Sequence, residues 1–407
     1  MRILVIHEYN LPYGGGEQYL HDTCEALRKL GHRVSLVCAE DRNQGFLPVD
    51  TCHGIKRSVG FRTGRQVLTS VEDIFHRERP DLVFLNGIGR LFMSPVVLHR
   101  VVRSWPTVLF VHHMDLICPT GRKVIPSNDR LCEWAQGISC FRKGCVRSIE
   151  GSLFDRPRGV LINLWRMRVL RRCGLVIVPS QYVRRECIRN GFPPRQLRVL
   201  PCFTTKGRRP IKNATGSQIL WVGRGEAGKG LDQFLRSLAL LRDRVWRAVV
   251  VGDGPDLDRA VNQAAELGLR DRVTFVGRLV GEELDVYYAS SRLLVFTPSW
   301  METFGQVGIE TMAFGRPVVA SDVGGPSEWL VDGLTGFMVP RGDYAGMADR
   351  IAWLLEDDPL WCRMSKAARE RVEEQFRLEH HLPRLVQVFE EAIGMHQSVA
   401  VNSANDA

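Results

Sequence analysis

The feature that most constrains this chain is an alternation repeated in two sets. Short, almost wholly apolar runs are separated by stretches of helical period. The first set holds "RILVIHE", "RVSLVC", "DLVFLN", "TVLFVHH" and "LVIVPS". The second holds "ILWVG", "RAVVVGDGP", "RVTFVG", "LLVFTPS" and "PVVAS". Between strands lie segments such as "EQYLHDTCEALRKLG", apolar at helical spacing and stopped by Gly. A strand apolar on both sides must be covered on both faces, so the pattern predicts parallel sheets layered with helices. The polar stretch "TTKGRRPIKNATGSQ" separates the sets, and 407 residues exceed what one ordinary core accommodates. The expected plan is an α/β domain over 1–203, a linker over 204–217 and a second α/β domain over 218–378. A helix over 379–407 then packs back toward the first domain and ends in a disordered tail. Two such domains make a cleft, and ligands of such sheets bind beyond the carboxyl ends of the strands, so chemistry is expected there.

Composition excludes several classes. No apolar run approaches the roughly 18 to 20 residues that span a bilayer, and "MRILVIHEYN" reads as a first strand rather than a signal peptide, its apolar run stopping at His7 and Glu8. The cytoplasm is the expected compartment. Eleven scattered cysteines do not suggest a disulfide framework. Cys118, Cys132, Cys140 and Cys145 fall within 28 residues, but without a CxxC pair they are a weak zinc signal. The net charge of +10 is uneven: residues 1–200 carry 31 Lys and Arg against 17 Asp and Glu, the remainder 24 against 28. The basic half suits an anionic acceptor or a membrane surface. Its densest part, 142–172, has nine basic and two acidic residues with Trp and aliphatics interleaved. That pattern fits an interfacial helix, though a solvated basic face would look the same. No nucleic-acid module is present, so no nucleic-acid partner is expected.

Four segments sit right after strands. "VGRGEAGKG" (222–230) places Arg224 and Lys229 in a glycine-rich turn before a helix, where backbone amides, the helix start and two cations suit a diphosphate. It is not a Walker loop, and an ordinary turn with solvated charges would carry the same residues. "METFGQVGIE" (301–310) sets Glu302 and Glu310 eight apart around Gly305 and Gly308. Buried carboxylates need partners, and sugar hydroxyls next to helix amides that meet phosphate would supply them. A Glu near a helix start explains Glu302 alone, but not Glu310. "YGGGEQ" (13–18) brings Gly14, Gly15 and Glu17 to the start of the first helix, without a GxGxxG fingerprint. "VLFVHHMDLICP" ends a buried strand on His112 and His113, where an imidazole can donate to a substrate hydroxyl or steady charge near a reacting carbon.

Taken together, these segments resemble the group 1 (family 4) retaining glycosyltransferases of the GT-B fold, two Rossmann-like β/α/β domains facing each other across a cleft. The resemblance runs from Met1 to about residue 395 and is strongest over 219–345, where "GIETMAFGRPVVASDVGGPSEWLVDGLTGFMVPRGD" follows the family pattern nearly throughout. It implies that Glu302 lies by the donor sugar, with Phe304 and Gly305 in the family's Glu-x-Phe-Gly order. It further implies that Glu310 holds the ribose and that amides from Gly305 into Gln306 meet the diphosphate. Arg224 and Lys229 would neutralise the leaving diphosphate. Gly14, Gly15 and Glu17 would stand near the donor phosphates and acceptor, and His112 would be the strand-end histidine. Arg278 and Val280, after "VTFVG", are candidates to touch the base. Departures are His113, where relatives have Asp or Asn, Gly225 in place of Leu and Thr311 in place of Ala. The first of these leaves open which histidine acts.

The implied reaction moves a hexose or N-acetylhexosamine from a UDP- or GDP-linked donor to a hydroxyl of a glycan or lipid-linked acceptor, with retention. It requires no cofactor or metal, and belongs to cell-surface polysaccharide or glycolipid synthesis. An anionic membrane surface is a further expected partner through 142–172, which would place the chain on the inner face of the cytoplasmic membrane. The alternatives are an NAD-dependent oxidoreductase, which the missing glycine fingerprint opposes, and a sugar-nucleotide epimerase or phosphorylase of the same architecture. A non-catalytic binding protein would lack some of Arg224, Lys229, Glu302 and Glu310.

Overall fold

The computed structural model describes residues 1–11, 14–57, 61–87, 92–148, 155–208 and 216–405. The chain divides into two compact units, Met1–Pro201 with His381–Ala407, and Cys202–His380. Half of the stretch read as a linker, 209–215, lies outside the described residues, as do 149–154 of the basic segment and the last two residues of the tail. The part of the linker that is described belongs with the second unit, where Thr204 forms a parallel bridge to Arg377.

The first unit is built on seven parallel strands: β1 (Arg2–Ile6), β2 (Arg33–Ala39), β3 (Thr51–Ile55), β4 (Leu82–Asn86), β5 (Thr107–Phe110), β6 (Leu175–Val178) and β7 (Leu197–Val199). They lie in the order β3-β2-β1-β4-β5-β6-β7. Chain order therefore reverses between β1 and β4, and a crevice opens there beyond the carboxyl ends of the strands. The β4, β5 and β6 side chains are all buried, which is why these strands show as continuous apolar runs. Helices cover the sheet. The first, Gly15–Lys29, buries Tyr19, Leu20, Cys24 and Leu27 on one stripe. Ser94 and Ser180 cap Pro95–Ser104 and Gln181–Arg189 by accepting from Val97 N and Val183 N. The long helix Leu378–Asn405 brings Phe389 onto Phe84 of β4, ring centroids 5.1 Å apart.

The second unit repeats the plan with β8 (Gln218–Val222), β9 (Arg247–Val251), β10 (Val273–Gly277), β11 (Leu293–Phe296), β12 (Val318–Ser321) and β13 (Gly336–Val339). All are parallel, in the order β10-β9-β8-β11-β12-β13, so its reversal lies between β8 and β11. Phe234, Leu235 and Leu238 of the helix Leu231–Ala239 share a fully buried core with Ile219, Val250 and Leu293. Each such side chain contributes roughly 1.5–3 kcal/mol by leaving water. Three strands, β3, β7 and β13, are absent from the apolar runs of the sequence, and each is an edge strand; the fourth edge, β10, is among those runs. An edge strand is paired on one side only and need not be apolar throughout: β3, "TCHGI", alternates in exposure.

All eleven cysteines are free thiols, eight of them buried, as expected of small apolar residues. Burial, and then the neighbouring Cys140, Cys118 and Cys132 thiols, push Cys145 up to about 11. Among the described residues no group of three or more His, Cys, Asp or Glu is arranged to hold a metal ion, so the four clustered cysteines gain no support as a zinc site.

Candidate functional site

In the second unit the chemistry gathers where β8 and β11 end. Two glycines fix it. Gly228 and Gly230 have φ of 101° and 71°, a region that L side chains rarely adopt. They press the turn against the segment that follows β11: a Cβ at Gly230 would lie 1.5 Å from Thr297 O, and one at Gly228 would lie 2.0 Å from the Trp300 ring. The contact is sealed by Ser299 N donating to Gly228 O at 2.8 Å and Thr297 Oγ1 donating to Gly230 O at 2.8 Å. Lys229, carried between these glycines, reaches Glu302 beyond the same segment, with Nζ 2.5 Å from Oε1. Burial pulls the Lys229 ammonium down, but Glu302 outweighs it and the net shift is upward. Arg224, half exposed, stands 3.7 Å from Glu226.

Glu302 is not in a helix. It bridges to Gly324, its amide donating to Val323 O at 2.9 Å while its carbonyl accepts from Gly325 N at 3.0 Å. The chain then turns through Phe304, which is buried, and Gly305, which caps the helix Gln306–Ala313 in the left-handed region at φ 85°. The first amides of that helix, at Gln306 and Val307, precede its own hydrogen-bond ladder and carry its positive end. Gly308 is required for another reason: a Cβ there would lie 2.2 Å from the Trp329 ring, whose Nε1 donates to Phe304 O at 2.7 Å. Glu310 is buried one turn further along, and the Tyr288 hydroxyl donates to its Oε2 at 2.7 Å. Burial, then the Glu310 charge, hold that phenol well above its ordinary range, so it remains a donor. Gln306 Nε2 lies 3.4 Å from Phe203 O. Arg278 and Val280 stand past the end of the edge strand β10, with β9 between them and β8, and Val280 is 56% exposed.

In the first unit the site residues lie beyond β1, β4 and β5, again at the reversal. Gly14 caps the first helix in an extended conformation, Gly15 opens it, and Glu17 occupies its first turn, buried. Glu17 Oε1 is 3.3 Å from His7 Nε2, and His7 Nδ1 donates to Asn86 O at 2.5 Å. Burial pushes the Glu17 carboxyl up, but the His7 hydrogen bond and charge, with His113, leave it below its usual range. His112 is buried with Nε2 2.8 Å from Asn86 Oδ1, whereas His113 is exposed. Tyr19 connects this group to the C-terminal helix: its ring lies edge-on to His112 at 5.0 Å, and its hydroxyl donates to His381 Nε2 at 2.8 Å.

Sequence reasoning missed His7, Tyr19, Asn86, Tyr288 and His381. A signal existed for two of them, since His7 and Asn86 are polar residues that end apolar strands. Tyr288 and His381 lie in helices, where nothing local sets them apart.

Both halves of the chain are similar to known proteins. Residues 204–371 match the family described as "Glycosyl transferases group 1", and residues 14–202 match the "Glycosyl transferase 4-like domain". The alpha-D-kanosaminyltransferase of Streptomyces kanamyceticus is 35% identical over 236 residues, 53% of this chain and 60% of that protein. The D-inositol 3-phosphate glycosyltransferase of Mycolicibacterium vanbaalenii is 33% identical over 281 residues, 62% of this chain and 61% of that one. The chain thus spans about three fifths of the length of these curated relatives. Among solved structures, Anabaena Alr3699/HepE in complex with UDP and glucose superposes with a TM-score of 0.71 at 19% identity, covering 96% of this chain and 99% of that one. That likeness gives the GT-B fold, two Rossmann-like units with parallel sheets. Neither the nicotinamide-dependent reading nor the epimerase reading is favoured, because both halves match glycosyltransferase families. The chain belongs to the group 1, family-4-like glycosyltransferases.

Proposed function

We propose that this protein transfers a hexose or N-acetylhexosamine from a UDP- or GDP-linked donor to a hydroxyl of a glycan or lipid-linked acceptor, with retention at the sugar carbon. The observation that carries the reading is the Lys229–Glu302 pair at the reversal of the second sheet, next to the start of a helix that also bears Glu310. The name of the HepE structure, a complex with UDP and glucose, supports a uridine nucleotide. Those of the two relatives support glycosyl transfer.

In this reading Glu310, held by Tyr288, accepts from the ribose hydroxyls. The amides of Gln306 and Val307 meet the diphosphate. Lys229 spends one of its three N–H donors on Glu302 and offers the others, with the Arg224 guanidinium, to the β-phosphate. The bond from the sugar carbon to the phosphate oxygen breaks with its electron pair on that oxygen, and the two cations stabilise the charge. The acceptor oxygen bonds the carbon from the same face, and its proton passes to the departing phosphate. The cations and amides supply this stabilisation without a metal ion. Glu302 stands by the donor sugar and orients Lys229. Gly14, Gly15, Glu17 and His112 serve the donor phosphates and acceptor, and Arg278 and Val280 the base.

Binding of UDP, GDP and ADP, measured by calorimetry without metal, tests the cradle. One nucleotide should bind the wild type and lose at least about tenfold in affinity in Arg224→Ala/Lys229→Ala, the loss of charge-assisted hydrogen bonds. Equal affinities would reject the assignment. Glu302→Gln should lower turnover strongly with the fold intact.

A second observation favours an acceptor at a membrane surface. Trp134, Ile138, Phe141, Leu161 and Trp165 are exposed in the basic half, Ile138 at 73%, and the Lys143 ammonium lies 5.5 Å over the Trp134 ring. Exposed aromatics mixed with cations suit an anionic interface. Among the described residues no helix is long and apolar enough to cross a membrane. Binding to anionic but not to neutral vesicles at low salt is expected, and no binding to either would dispose of this part.

A further inference from the structure

Two cysteines that sugar transfer does not use meet at the edge of the first sheet. Cys38 is in β2 and Cys52 in β3, which pairs with β2 alone. The parallel register sets Cys38 opposite Gly54, two residues beyond Cys52. Residues two apart on a strand share a face, so both thiols lie on one side of the sheet, with their sulfurs 3.7 Å apart. Their exposure differs. Cys38 is wholly buried, whereas Cys52 is exposed. A reagent in solution therefore meets Cys52 first.

Cys52 has a further contact. Asn10 Nδ2 lies 3.5 Å from its sulfur and also donates to Asn43 Oδ1 at 2.7 Å. Asn10 is buried and fixed in place: its Oδ1 accepts from Leu47 N at 2.7 Å, its amide donates to Arg42 O at 2.9 Å, and its carbonyl accepts from Gln44 N at 2.8 Å. An N–H held beside a sulfur favours the thiolate over the thiol. The hydrogen bond from Cys38 pulls the Cys52 thiol down, burial opposes it, and the Asn10 and Asn43 side chains pull the same way as Cys38, so the net shift is downward. Cys38 moves up, through the same hydrogen bond and then through burial. The Cys38 S–H is thus the donor of the pair and the Cys52 sulfur the acceptor.

We propose that Cys38 and Cys52 form a reversible dithiol–disulfide site, with Cys52 as the thiolate that attacks a peroxide and Cys38 as the resolving thiol. The Cys52 sulfur bonds one peroxide oxygen. The O–O bond breaks with its electron pair on the other oxygen, which takes a proton from solvent and leaves as water. The Cys38 sulfur then bonds the Cys52 sulfur, the S–O bond breaks, and the hydroxyl departs with the Cys38 proton as a second water. Two thiols are oxidised and one peroxide is reduced. The sulfurs close from 3.7 Å to about 2.05 Å, a movement that side-chain rotation on a strand paired on one side only can supply. A thiol reductant reaches the exposed sulfur of the product and restores both cysteines.

The test is one equivalent of hydrogen peroxide added to the full chain at pH 7, followed by alkylation in denaturant and peptide mapping. The peptides holding Cys38 and Cys52 should be joined within one chain and separate again in dithiothreitol. In Cys38→Ala, Cys52 should stop at the sulfenic acid and be trapped by dimedone. In Cys52→Ser, Cys38 should stay reduced. Without peroxide, iodoacetamide should alkylate Cys52 several-fold faster than Cys362, the other exposed thiol. Asn10→Asp keeps an acceptor for Leu47 N but sets a carboxylate beside the sulfur, and should remove that advantage. Cys38 still reduced in the oxidised wild type would overturn the proposal, as would a link from Cys52 to a second copy of the chain. Equal alkylation of Cys52 and Cys362 would overturn the attacking role of Cys52. The wild-type map and the alkylation rates need no variant, so both stand even where a variant fails to fold.

Discussion

His381 is buried, and its two ring nitrogens have opposite duties: Nδ1 donates to Pro201 O at 2.8 Å, and Nε2 accepts from the Tyr19 hydroxyl at 2.8 Å. Only the neutral ring can do both. Burial lowers its pKa, the Pro201 carbonyl opposes that and the Arg384 charge adds to it, and the result is pushed down to about 3. In the unfolded chain a histidine titrates near 6.5. Between these values the unfolded state binds a proton that the folded state does not, so stability is full above about pH 6.5 and is lost as pH falls toward 3. At pH 5 the loss is about 2 kcal/mol, from about 1.5 pH units at about 1.4 kcal/mol each. Gln at 381 can donate and accept but does not titrate, so His381→Gln should remove this slope while keeping the hydrogen bonds. The assay is calorimetric melting of both proteins at pH 7 and pH 5. Acidification should lower the wild-type Tm by about 4–8 °C more than that of the variant, the shift that about 2 kcal/mol gives in a unit of this size. Equal shifts in the two proteins would refute the argument.

Other outcomes follow from single contacts. Tyr288→Phe removes the donor from Glu310 and leaves a buried carboxylate oxygen poorly matched, which should lower stability by about 1–3 kcal/mol. Because Glu310 is assigned to the ribose, KM for the donor should rise while kcat is spared, and a fall in kcat alone would contradict that role. Gly230→Ala puts a Cβ into the Thr297 carbonyl at a positive φ. Strain and overpacking together should cost at least about 2 kcal/mol and weaken nucleotide binding by displacing Lys229. Gly394→Ala, in a helix with nothing within 4 Å of the new Cβ, should stabilise by about 0.5–1 kcal/mol, so melting of the pair separates glycines required by geometry from glycines that are not.

The sequence by itself determined the central strands, the fold class and the positions of Arg224, Lys229, Glu302 and Glu310 at the ends of β8 and β11. A strand covered on both faces must be apolar throughout, and a turn that hugs another segment must carry glycine. Both requirements leave local marks. Edge strands escape the first requirement, and β3 and β7, which carry polar residues, were not legible for that reason. The edge strand β10 kept an apolar run and was legible, and the short apolar β13 was passed over.

Tertiary structure alone decided the partners. Glu302 meets Lys229 across 73 positions, His7 meets the Asn86 carbonyl across 79, and Tyr19 meets His381 across 362. Periodicity reports that a residue is buried, not which polar atom it faces once there. Between His112 and His113 the sequence could not choose. Burial sets the two apart: one ring is buried against Asn86 and the other is exposed. That distinction exists only once β1, β4 and β5 lie side by side, because the atoms around the two rings come from strands that are remote in sequence.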